Sequence, residues 1–65
     1  MKVNGNEISA KENMTVRQLL EEQGFRTDRV AVELNGNICP KSQFDKVILK
    51  DSDKIEVVSF VGGGC

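Results

Sequence analysis

The chain has no histidine, tryptophan or tyrosine, only two cysteines and a single proline. Without histidine it lacks the commonest general base and the commonest metal ligand. Cys39 and Cys65 are too few to staple a disulfide scaffold or to complete a four-ligand zinc site, so no metal is expected. No run approaches the roughly 18 apolar residues of a membrane-spanning helix. The opening MKVNGNEIS has one lysine but no apolar stretch of the secretory kind. The expectation is a cytoplasmic protein without membrane contact. Charge of one sign is missing too, because nine basic and ten acidic residues leave a formal net charge of -1. Nucleic-acid binders carry a clustered basic excess that neutralises phosphates, so nucleic acid is not an expected partner. The side chains hold little catalytic equipment. The chain is therefore expected not to be an enzyme, with any chemistry placed at its terminus or on a partner.

What the 65 residues do contain is a series of short, clearly punctuated periodic stretches, enough for one small domain. KVNGNEIS sets Asn4-Gly5 between β-type runs, predicting a tight hairpin with strands near residues 2–4 and 7–10. NMTVRQLLEEQG is the strongest helix signal. Thr15 and Gln18 have capping-box spacing, Val16, Leu19 and Leu20 share a face, and Gly24 suits a left-handed helix end. RVAVELNGNICP alternates, with Val30, Val32 and Leu34 on one side and Ala31 and Glu33 on the other. Asn35-Gly36 then predicts a second hairpin into residues 37–39, broken by Pro40. KSQFDKVIL reads as irregular, with one short turn and Phe44 pointing inward, and KDSD supplies turn residues. KIEVVSFV is the last strand, with Ile55 and Val57 on one face and Glu56, Val58 and Phe60 on the other. Cys39 reads as a small buried or half-buried hydrophobe.

The order is hairpin, helix, hairpin, strand. One helix flanked by two hairpins buries its apolar stripe on one face of a sheet, an α+β two-layer domain. The connection through the helix allows a mixed sheet of four to five strands, which is the plan of the β-grasp, or ubiquitin-like, architecture. The domain is expected over residues 1–61. Three consecutive glycines resist being fixed, so residues 62–65 are expected to form a flexible tail that holds a reactive group away from a rigid body.

TVRQLLEEQG, VAVELNGNICP and LKDSDKIEVVSFVGGG, in that order and over essentially the whole chain, resemble the ThiS family of sulfur carriers in thiamine biosynthesis. The most specific features are the short length, the DSDKIEVV entry to the last strand and the glycine-ended tail. The small subunit of molybdopterin synthase shares fold and tail but tends to be longer between helix and final strand. The resemblance implies that the carboxylate of Gly64, behind Gly62 and Gly63, is adenylated by an ATP-using partner, ThiF. It is then converted to a thiocarboxylate with sulfur from a cysteine persulfide and serves the thiazole synthase, ThiG. ATP would belong to the partner, and the carrier itself would bind no cofactor. Physical chemistry agrees with such a scheme. An α-carboxyl group has a pKa near 3.5 and is a poor electrophile as the anion. Joining it to AMP removes the charge and supplies a leaving group, and glycine has no Cβ to obstruct an attacking sulfur.

Cys65 departs from the family pattern, which ends on glycine. A C-terminal protease removes it to expose Gly64, or Cys65 stays and its own carboxylate or thiol takes part, or its thiol attacks the Gly64 carbonyl. The last route needs help, because an amide is normally more stable than the thioester it would become. Val58 and Phe60 have two readings, as ordinary scattered exposed apolar residues and as a docking patch beside the tail that the resemblance implies. Three alternatives to a thiamine carrier remain. A carrier for another, molybdopterin-type pathway shares the design, a non-catalytic β-grasp interaction module leaves the glycines unexplained, and a thiol redox carrier lacks a group to activate Cys65.

Overall fold

Both Asn-Gly pairs turn the chain in the computed structural model, which describes residues 1–59. Asn4 and Gly5 have φ of 51° and 85°, and Asn35 and Gly36 of 53° and 86°. Type I′ hairpins require positive values at both central positions. The first turn joins β1 (Lys2–Val3) to β2 (Asn6–Glu7), and the second joins β3 (Val30–Leu34) to β4 (Asn37–Cys39). β2 corrects the expected strand over residues 7–10. The two-residue turn pairs Val3 with Asn6 and Lys2 with Glu7. Beyond Ile8 the chain leaves the sheet, and the Ala10 N–H donates to Asp51 Oδ1 at 2.9 Å instead of to a strand.

The helix, α1 (Val16–Glu22), starts where the capping box places it. Gln18 N–H donates to Thr15 Oγ1 at 3.2 Å, and Thr15 N–H donates back to Gln18 Oε1 at 3.0 Å. Two more of its first N–H groups, orphaned at any helix start, donate to the segment that the sequence leaves irregular. Val16 N–H reaches Val47 O at 3.2 Å and Arg17 N–H reaches Phe44 O at 3.0 Å. An ion pair of Arg17 with Asp45 ties the same two segments together. The helix ends at Gly24, φ 82°. Phe25 N–H donates to Leu20 O at 2.9 Å and Gly24 N–H to Glu21 O at 3.2 Å, the paired bonds of a Schellman ending.

A single 3-10 turn (Lys41–Gln43) follows Pro40, and β5 (Lys54–Ser59) closes the described chain. The five strands form one mixed sheet in the order β2-β1-β5-β3-β4. β5 lies at the centre, parallel to β1 and antiparallel to β3. Val16, Leu19 and Leu20 of the helix join Val3, Val30, Val32, Cys39, Ile55 and Val57 of the sheet in one core, which also takes in Met1, Met14, Phe44 and Leu49. No polar or charged residue is buried among the described residues. This is the expected β-grasp, with five strands and one helix covering one face. No helix among the described residues is long and apolar enough to cross a membrane.

Candidate functional site

The site to be built is the end of β5, because it delivers the chain to the tail. β5 alternates: Ile55 and Val57 are buried at 1% and 7% exposure, while Val58 stands 61% exposed. Among the described residues α1 covers only the core face, and no described element covers the other face of the sheet. Register decides what shares that open face. Val58 lies opposite Ala31, and Glu56 lies opposite Glu33. Glu33 in turn lies opposite Ile38 of β4, which is 66% exposed. On this face Val58 and Ala31 thus form an apolar pair in the row nearer the tail, and Glu56, Glu33 and Ile38 form the row beside it. Among the described residues neither Glu33 nor Glu56 has an ion-pair partner. Directly opposed like charges are mildly destabilising.

Two turn asparagines grip β5. Asn35 N–H donates to Lys54 O at 2.8 Å, and its Oδ1 accepts the Lys54 N–H at 2.9 Å. On the other edge Asn4 N–H donates to Ile55 O at 2.9 Å. The Asn4 side chain then takes both main-chain groups of Val57: Oδ1 accepts the N–H at 2.7 Å and Nδ2 donates to the carbonyl at 3.2 Å. The amide supplies one donor and one acceptor at the place where a further β1 residue would otherwise pair.

Of the residues singled out from the sequence, Val58 faces outward as expected. Phe60, Gly62, Gly63, Gly64 and Cys65 lie outside the described residues. Cys39 is buried at 7% exposure on the core face, opposite Val32. Burial pushes its thiol pKa above the ordinary value of 9.0, which keeps it protonated and unreactive. Two residues were missed. Ile38 was legible from alternation alone, since Cys39 facing in turns its neighbour out. The grip of Asn4 was not, because the sequence shows only a turn residue. Among the described residues one shallow groove runs beside the helix, crossed by a Lys11–Glu22 ion pair at 2.8 Å, and another lies at the β3–β4 turn, bordered by Ile38, Pro40 and Val47. Neither holds a nucleophile beside a base.

Comparison with known proteins points the same way. The sequence model of the ThiS family matches residues 1–64, ending on Gly64 and leaving Cys65 outside. The sulfur carrier protein ThiS of Bacillus subtilis is 37% identical over 65 residues, covering 98% of each chain. A thiazole synthase of Paramagnetospirillum magneticum is 47% identical over 62 residues, which is 95% of this chain but only 19% of that protein. The chain therefore spans about a fifth of that relative. The crystal structure of the thiamine biosynthesis protein (ThiS) from Geobacter metallireducens superposes with a TM-score of 0.76 at 35% identity, covering 97% of this chain and 96% of that one.

Proposed function

The chain belongs to the ThiS family, and from that premise we propose that it is a sulfur carrier of thiamine biosynthesis, a carried reagent and not a catalyst. Its working end is the carboxylate of Gly64 after removal of Cys65. The observation that carries this reading is the family match, which stops on Gly64. A carrier must present a small, unhindered terminus from a stable body. The described body supplies the rigid part through β5, held on both edges by β1 and β3.

The chemistry follows from the carboxylate. One of its oxygens attacks the α-phosphorus of ATP on an adenylating enzyme, ThiF, and pyrophosphate leaves. The terminal sulfur of a cysteine persulfide then attacks the acyl carbon and AMP leaves. Cleavage of the resulting acyl disulfide by a second thiol yields the thiocarboxylate. Glycine at the reacting position leaves the acyl carbon open to the sulfur. The sulfur is destined for a thiazole synthase, ThiG. The stretch similar to this chain within a thiazole synthase supports that partner, since segments joined in one polypeptide meet at high effective concentration. Val58, Ala31 and Ile38 form the described part of the docking surface in this reading, and Phe60, outside the described residues, is its proposed aromatic anchor.

ATP–pyrophosphate exchange with the adenylating enzyme tests the proposal. A chain ending at Gly64 should support exchange, and its Gly64→Ala form should lose it while remaining folded. The full-length chain should exchange poorly until a protease acts. Equal exchange by the full-length and trimmed chains would remove trimming from the scheme. Phe60→Ala should weaken binding to the enzyme by about 1–3 kcal/mol, read by titration calorimetry. Intact mass from the native host should show loss of the terminal cysteine and replacement of one oxygen by sulfur.

A further inference from the structure

Asn4 and Asn35 form a matched pair with unequal positions. Both are first residues of type I′ turns, at φ of 51° and 53°. Both use a side-chain amide to bond the main chain of β5. Asn35 acts at Lys54, where the strand begins, while Asn4 acts at Val57, three residues further along. β1 ends at Val3, so the Asn4 amide is the last contact on the β1 edge of β5 among the described residues. The opposite edge stays paired with β3 through Ser59. Removing the Asn4 side chain would leave Val57, like Val58 and Ser59 after it, held from the β3 side only.

We propose that Asn4 is a positioning residue for the carboxyl-terminal tail. By bonding both main-chain groups of Val57 it holds the β1 edge of β5 ahead of the tail and so steadies Val58 on the docking face. The assignment rests on the carrier reading and deepens it. A tethered group is presented at an effective concentration that falls as roughly the −3/2 power of tether length, and residues released from the strand lengthen the tether. Fraying back to Val57 dilutes the terminus about twofold by that rule. Loss of the fixed place of Val58 adds to it.

The test uses Asn4→Gly with Asn35→Gly as its control. Glycine accepts positive φ in a type I′ turn, so each variant deletes a side chain while the turn remains unstrained. In the form ending at Gly64, Asn4→Gly should raise the KM of the adenylating enzyme for the carrier by about three- to tenfold with kcat retained. That range combines the tether dilution with the lost docking register. Asn35→Gly should leave both constants unchanged. A merely structural role moves neither constant while the protein stays folded, so equal behaviour of the two variants overturns the assignment. Amide exchange on the full chain forms a second arm that needs no partner. Val58 N–H pairs with β3, not with Asn4, so its faster exchange in Asn4→Gly alone reports fraying of the strand end. If the unsubstituted trimmed chain supports no ATP–pyrophosphate exchange, the carrier reading fails. Amide exchange then decides whether Asn4 holds the strand: unchanged Val58 protection overturns it, and selective loss supports it.

Discussion

At the residue scale, burial separates side chains that hold the fold from those free to meet a partner. Leu19 has no exposure and sits between helix and sheet, whereas Val58 is 61% exposed one strand position from Val57. Leu19→Ala should cost about 2–5 kcal/mol in urea unfolding, a large share of what a domain of this size has to lose. Val58→Ala should change stability by less than about 0.5 kcal/mol. If both variants lose stability equally, the open face is not open. Cys39 makes a different prediction. Its thiol pKa is raised by burial, so the folded state favours the protonated form. The stability this brings is complete below the unfolded-state value and is lost as pH rises through the folded one. In the chain ending at Gly64, where Cys39 is the remaining thiol, alkylation by iodoacetamide should therefore be slow on the native protein up to the ordinary thiol range and fast after denaturation. Rapid native labelling at neutral pH would contradict the burial of Cys39.

At the element scale, α1 is a helix with little intrinsic support. It has seven residues, no acidic residue in its first turn and no basic residue in its last. Isolated helices of this length are not stable in water, and the dipole here is uncompensated at both ends. What maintains it is the capping box, the Schellman ending and the burial of Val16, Leu19 and Leu20. Thr15→Ala removes the hydroxyl that accepts the Gln18 N–H. It should cost about 1 kcal/mol, within the 0.5–2 range of such caps. Thr15→Ser should recover most of it, as seen in the melting temperature. The helix was legible because every one of these signals lies within a few residues of the next. The second strand was not, because its length depends on where the hairpin stops pairing, and there Ala10 N–H binds Asp51, distant in the chain.

At the scale of the whole molecule, the sheet joins the two ends of the described chain, since β1 and β5 are adjacent and parallel. The last core residue among those described is Val57. A chain stopped at Val61 should therefore melt with the full-length protein, within about 0.5 kcal/mol, as changes away from core features usually do. It should also lose all adenylation by the partner. A lowered melting temperature would mean that residues 62–65 contribute to the fold and are not only the reagent's tether. In the proposed carrier the described core lies within residues 1–59 and the proposed reacting residue, Gly64, follows it.

Local chemistry in the sequence by itself determined both Asn-Gly turns, the start and end of the helix, the inward face of β5 and the terminal glycines that prompt a carrier reading. Each is written in residues a few positions apart, where backbone preferences and side-chain periodicity act without help from the rest of the chain. Tertiary structure alone decided which strands are neighbours. It placed Ile38 and Val58 on one open face, opposed Glu33 to Glu56, and closed the helix start with Phe44 and Val47. It also turned Asn4 from a turn residue into a hold on Val57, far away in sequence. No local rule encodes such a bond, because it forms only when β1 and β5 lie side by side, and they do so because their apolar faces bury together against a single helix.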